Sequence, residues 1–311
     1  MLFRQRYRNT GTDNSVSITQ GDLQRFKVSP ALLHHFIKSG QISHTNNRFT
    51  ALTAGAVDLS LIQRKGAKQT DLHRYMKQCL LMVNLPEQLI LQPEVTDYFR
   101  LFLELRKQHL DLFFTVDSFS GRVHTPVSSL HHSIRPGLIL CGEPVVSFDV
   151  SQMQPTLLGN ILYQNIGNNS FTEAINNGTD IYTMLQEKAG LNDRNEAKKR
   201  LFQMLFSKPS NDLQQLFGNA DFIQWINQYK SINEPRNPHG KAKPHSNLAW
   251  LLQSYEVKIM SEVWRTLAET ATHHLSIHDE IICRRSDSET ARTIIEKVLN
   301  KHFTYYKLNE K

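Results

Sequence analysis

The sequence lacks most of what would place it in several common protein classes. It has only three cysteines in 311 residues, Cys79, Cys141 and Cys283. They are too few and too scattered for a disulfide framework or a structural zinc, so reduced thiols are expected. No apolar run approaches the roughly 20 residues that span a bilayer. Met1–Thr10 carries arginines but none of the apolar stretch of a secretory signal. A cytoplasmic chain is the expectation. There is no internal repeat and no low-complexity linker. The pairs His34-His35, His131-His132 and His273-His274 lack metal-ligand spacing.

Acidic residues are scarce at one end only. The first 80 residues hold 12 Lys/Arg against 4 Asp/Glu, and the remainder 24 against 25, so the net charge of +7 is N-terminal. A cluster such as Arg64, Lys65 and Lys68 suits a phosphate backbone, because each neutralised phosphate releases condensed counterions. A solvated surface would explain the same cluster equally well.

Apolar residues at three- and four-residue spacing predict helices over Ala31–Lys38, Asp71–Val83 and Pro93–His109. Residues 112–128 read as irregular or extended around Ser120-Gly121-Arg122. Pro144–Val150 is rich in β-branched and aromatic residues and predicts a buried strand. The helix that follows it reaches Tyr163, with Pro155 in its first turn. Further helices are expected over Ile181–Ala189, Arg194–Phe206, Asn247–Ala268 and Ser288–His302. A mobile loop is expected over 230–246, and a hairpin over His274–Cys283 folded about His278-Asp279. Few strands and many helices make α+β the natural class.

Three segments bear chemistry. Asp149 stands at a strand end, where the sheet would anchor a carboxylate projecting past its edge, although helix caps and turns favour Asp there too. His278-Asp279-Glu280 puts two acids and a histidine inside an otherwise apolar hairpin, which turn preference alone explains less well. Two such carboxylates suit Mg²⁺, which takes one or two protein carboxylates together with substrate phosphates. The third segment is the helix Arg194–Phe206. Arg194, Lys198, Phe202 and Phe206 recur every four residues beside an apolar stripe of Ala197, Leu201, Met204 and Leu205. Its exposed face would bring cations to a helix N-terminus and rings to a base; an ordinary amphipathic helix is the rival reading.

Taken in order, these segments resemble the palm and fingers of family A DNA polymerases, over roughly residues 115–285. Phe148-Asp-Val-Ser-Gln-Met-Gln-Pro-Thr-Leu-Leu158 is similar to the first catalytic motif. Arg194-x3-Lys198-x3-Phe202-x3-Phe206 resembles the fingers helix, and His278-Asp279-Glu280 the last motif. Gly121-Arg122, Asp180-Ile181-Tyr182 and Gln253 are lesser likenesses. The resemblance implies a right-hand fold: a small antiparallel palm sheet, with helical fingers and N-terminal region. Its parts would be a basic helical, reduced thumb-like region at 1–110, palm at 111–160 and 247–311, and trimmed fingers at 161–246. It implies an exonuclease-less DNA polymerase of the small kind carried by phages and plasmids, extending a primer with two Mg²⁺ ions, or Mn²⁺ in their place.

On this likeness Asp149, Asp279, the Val150 carbonyl and the outer-shell acid Glu280 would surround the metals. Arg194 and Lys198 would grip the triphosphate, with Lys198 donating a proton to pyrophosphate. Phe202, Phe206 and Gln154 would contact the nucleotide. Arg122, Gln253 and His278 would touch the primer–template, and Arg135 is a further nucleic-acid candidate. Primer–template, nucleoside triphosphates and replication accessory proteins are the implied partners, with no membrane. The chain departs from the family where a sugar-discriminating Glu is Gln154, a tyrosine is Phe206, a glycine is Ser207 and an arginine is Thr156. A single-subunit RNA polymerase or primase, an inactive nucleic-acid-binding palm and a two-metal nuclease are the alternatives.

Overall fold

The computed structural model describes residues 67–209 and 221–311, together with strands β1 (Ile42–Thr45), β2 (Arg48–Ala51) and β3 (Ala56–Asp58). The expected helix Ala31–Lys38 and the cations Arg64 and Lys65 lie outside the described residues. The class is α+β with antiparallel pairing throughout the strands whose register is defined. The chain divides into two compact units. One comprises residues 1–116 and 123–145, the other 117–122 and 146–311.

In the first unit, β1, β2 and β3 form an antiparallel meander. Helix α1 (Asp71–Leu81) stops two residues short of the expected end, because Val83-Asn84 (β4) leave it to pair with β7 (Ile139–Leu140). A short helix, α2 (Glu87–Ile90), precedes α3 (Asp97–His109). Helix α3 starts four residues later than its apolar spacing suggests. The hydroxyl oxygen of Thr96 accepts from the Phe99 amide at 3.2 Å and fixes that start, as an N-cap does. Phe99, Phe102 and Phe113 pack ring to ring at 5.5–5.6 Å in this unit's core. Strands β5 (Thr115–Val116) and β6 (Val123–His124) pair across the segment 117–122.

Strand β8 (Glu143–Val150) ends in the second unit, where β11 (Leu308–Glu310) pairs with its last three residues. The hairpin β9 (His274–Ile277) and β10 (Glu280–Arg284) joins the same sheet through β10. Helices α4 (Met153–Ile166), α5 (Ser170–Asn176), α6 (Ile181–Ala189), α7 (Arg194–Phe206), α8 (Asp221–Tyr229), α9 (Asn247–Glu269) and α10 (Ser288–His302) complete the unit. Asp193 caps α7, its carboxylate accepting from the amides of Asn195 and Glu196. The buried residues of α7 are Ala197, Leu201, Met204 and Leu205, the stripe its periodicity predicts. Trp264 on α9 is buried and donates its indole N–H to the Ser276 hydroxyl at 3.0 Å, tying α9 to the hairpin.

The segment 230–246 is irregular, as its prolines require, but it is pinned where a mobile loop was expected. Lys230, Glu234 and Asn237 are buried, and Asn237 donates to the side chains of Ser246 and Asn247, both at 2.8 Å. Asn247 in turn donates to the carbonyls of Tyr229 and Ile232. Polar side chains here do the work that a regular backbone ladder does elsewhere.

Candidate active site

Within the second unit a cleft of about 370 Å³ is lined by the end of β8, the start of α4, the exposed stripe of α7, one side of α9 and the bend of the β9–β10 hairpin. Asp149, Val150, Gln154, Arg122, Arg194, Lys198, Phe202, His278 and Asp279 all border it. Residues 157 positions apart in sequence, from Arg122 to Asp279, therefore meet in one place.

Each carboxylate is delivered by local structure. Asp149 is the penultimate residue of β8, opposite Asn309 of β11. The chain then turns through Gln152, whose positive φ of 58° redirects it into α4. The side-chain oxygen of Gln152 accepts from the Ile181 amide at 2.6 Å and so fixes this turn against α6. Asp279 is the second residue of a two-residue hairpin bend. His278 holds a left-handed φ of 58°, a conformation that few non-glycine residues adopt. Glu280, one residue on, is buried opposite Ile277 and does not line the cleft, because successive strand side chains point to opposite faces.

Electrostatics give the pair its character. Burial pushes the Asp279 carboxyl well above the aspartate range, and the negative charges of Glu256 and Asp149 push it further. Arg122 and the backbone oppose this only in part. Asp149 already meets a cation, the Lys311 ammonium at 3.0 Å from its Oδ2. Among the described residues no three Asp, Glu, His or Cys side chains converge as a complete ligand set. Two carboxylates that share one cleft, one of them raised by burial and by neighbouring negative charge, are a donor set that a hard divalent cation fits.

The acid that the sequence argument missed is Glu256, on α9. It is 1% exposed and holds Arg122 bidentately, accepting from Nε at 2.8 Å and Nη2 at 2.6 Å. It also accepts from the Gln154 amide. Burial raises its carboxyl, while Arg122 and Gln154 pull the other way. A signal was present: Glu256 falls in the stripe of Leu252, Ile259, Met260 and Val263, where an unpaired acid would be costly. Arg122 is presented by a tight turn in which Asp117 accepts from the amides of Phe119 and Ser120, and Gly121 takes φ +85°. Gln154 is buried, and its Oε1 has no hydrogen-bond partner among the described residues.

On the facing wall, Arg194 pairs with Asp180 (Nε–Oδ2 2.9 Å) and lies 4.8 Å from the centre of the Tyr182 ring. Burial alone would raise the Asp180 carboxyl. Donors from Arg194, Thr183 and Tyr182 together hold it below the usual range. Lys198 stands 5.8 Å from the Tyr182 ring and 5.9 Å from Phe202. Burial pushes the Tyr182 phenol up, Arg194 opposes this, and Asp279 and Asp180 push it further. Phe206 stacks on Phe202 at 5.5 Å without itself lining the cleft. Gln253 is half-buried on α9, one turn before Glu256 and outside the cleft. Arg135 belongs to the first unit, where its Nε donates to the Leu130 carbonyl at 3.2 Å.

No helix among the described residues is long and apolar enough to cross a membrane. No known family's sequence model matches the chain, and no curated protein matches it. Among solved structures, the POL domain of Pol1 from M. smegmatis, in complex with DNA primer-template and dNTP, is similar at a TM-score of 0.47 and 12% identity. The likeness covers 63% of this chain and 46% of that one, so the chain spans less than half the length of this neighbour.

Proposed function

We propose that the protein is a template-directed nucleotidyltransferase, a family A-like DNA polymerase pared down to palm and trimmed fingers, that extends a primer 3′ end in the replication of a phage or mobile element. One observation carries the reading. A crowded pair of carboxylates, Asp149 and Asp279, shares a cleft with a helix face bearing Arg194, Lys198 and Phe202.

Asp149 and Asp279 would hold Mg²⁺, with the Val150 carbonyl as a further oxygen. When bound, two such ions activate an attacking hydroxyl and stabilise the leaving oxygen of a phosphoryl transfer. Arg194 and Lys198 take the triphosphate, Arg194 from a position fixed by Asp180 and Tyr182. The Lys198 ammonium, exposed and in no ion pair among the described residues, carries the proton due to the departing pyrophosphate. Phe202 offers a ring to the nucleotide, backed by Phe206. Arg122 and His278 border the side where the primer end would lie.

Gln154 favours a second reading in which ribonucleotides are accepted. Glu256 accepts from the Gln154 amide nitrogen, which leaves Oε1 buried with no hydrogen-bond partner among the described residues. A buried acceptor without a donor is satisfied by a sugar hydroxyl. Primer extension with dNTPs and NTPs side by side separates the readings, and incorporation of NTPs alone would overturn the DNA assignment. Asp279→Ala should abolish extension while sparing DNA binding. Extension that survives it would mean the site lies elsewhere.

A further inference from the structure

Away from the cleft, the second unit carries a group of half-buried rings and exposed cations. Helix α8 buries Phe222, Ile223 and Ile226. Trp225 and Tyr229, one turn apart on its other side, stack with each other at 5.2 Å and 6°. Burial raises the Tyr229 phenol to about 12, with Glu234 and Tyr255 adding to it, which places Tyr255 of α9 close by. Arg236 lies over the Trp250 ring at 5.1 Å, held in plane by two hydrogen bonds to Glu234 at 2.8 and 3.0 Å. Lys258 covers Tyr255 at 5.7 Å, and Tyr255 remains 37% exposed. None of these residues lines the cleft.

The charge is one-sided. From Trp225 to Lys258 there are only two acids, Glu234 and Glu256. Glu234 is taken up by Arg236, and Glu256 is buried against Arg122. Lys241, Lys243 and Lys258 are exposed, against one exposed acid on α8, Asp221, one turn before Trp225. Flat rings on elements whose exposed cations outnumber their exposed acids fit a ligand that has both a phosphate chain and accessible aromatic faces. A duplex offers the first and hides the second.

We propose that this face is a platform for single-stranded nucleic acid, on which unpaired bases stack against Trp225, Trp250 and Tyr255 while Lys241, Lys243 and Lys258 take the phosphates. It rests on the polymerase reading only for its purpose, holding unpaired template outside the cleft.

The chain has three tryptophans, and the third, Trp264, is 2% exposed and hydrogen-bonded inside the core. Intrinsic fluorescence therefore reports on the platform. Oligo-dT of about 16 nucleotides, the upper end of common site sizes, should quench the full chain's emission saturably. With about three phosphates neutralised, the log–log salt slope should be near −2. Trp225→Phe combined with Trp250→Phe keeps the rings; it should bind labelled oligonucleotide as the parent does by anisotropy, yet show no quench. Trp250→Ala should weaken binding about tenfold, the loss of one stacked base. Absence of quench, equal quench by a duplex of the same length, or unchanged affinity in Trp250→Ala would overturn the platform. Asp279→Ala should quench normally. Extension without quench refutes the platform alone, and quench without extension refutes the polymerase reading alone.

Discussion

Replacing Glu256 by leucine strikes the group that ties three elements of the cleft together. The wild-type carboxylate accepts two hydrogen bonds from Arg122 and one from Gln154 at 1% exposure. Removing one partner of a buried ion pair costs about 3–5 kcal/mol, because the survivor stays buried without its counterion. The Arg122 side chain is 17% exposed, so water softens the loss and the lower end, about 3 kcal/mol, is expected. For a unit of this size that is a fall in Tm of about 6–12 °C. Arg122→Met should cost a similar amount. The double variant, with no charge left stranded, should be destabilised by clearly less than the sum. A coupling of about 2 kcal/mol follows, measurable by urea unfolding in a double-mutant cycle. Additivity to within about 0.5 kcal/mol would refute the claim that these two residues form one buried unit.

The carboxylates also set a pH dependence. The native Asp279 carboxyl lies above its ordinary value of 3.8, raised by burial, Glu256 and Asp149, so above that value the native state binds more protons than the unfolded chain. Stability present below that value should be lost as pH rises through the native one. Denaturation in EDTA should show this decline; Asp279→Asn should flatten it and Mg²⁺ should offset it, and an unchanged slope in Asp279→Asn would count against it. Lys230→Met removes a buried ammonium that donates to the Met204 carbonyl at 2.8 Å in the last turn of α7, so a loss of about 1.5–3 kcal/mol is expected in chemical unfolding. Arg194→Ala should raise the nucleotide KM by about tenfold or more, as a charge-assisted phosphate contact is lost. Asp180→Asn should do so less, because Asp180 orients Arg194 without touching substrate; equal effects in steady-state kinetics would mean that Asp180 has the direct role.

Periodicity and turn chemistry made much of the second unit legible. The four buried residues of α7 follow from their spacing, and the hairpin from two apolar runs around His278-Asp279. A meeting of Asp149 and Asp279 was legible only as the result of pairing the hairpin with the Asp149 strand, since no local rule requires a bend so far along the chain to reach that strand end. Glu256 escaped because its partner Arg122 lies 134 residues away, and a lone acid in a helix gives no hint of that pairing. The Lys311 contact with Asp149 is equally non-local, set by the register of β11 on β8. The boundaries of α1 and α3 shifted because a tertiary strand pairing and a threonine cap overrode apolar spacing. The segment 230–246 looked loose because its order comes from asparagine side chains, which carry no periodic signature.

Direct titration of Mn²⁺ onto the full chain, followed by the loss of its free-ion EPR signal, puts the shared carboxylate site to its plainest trial. The wild type should bind the ion saturably, and Asp149→Asn and Asp279→Asn should each weaken that binding by about tenfold or more, the worth of one charged oxygen ligand. Wild-type affinity retained in both variants would contradict a metal held between β8 and the hairpin bend.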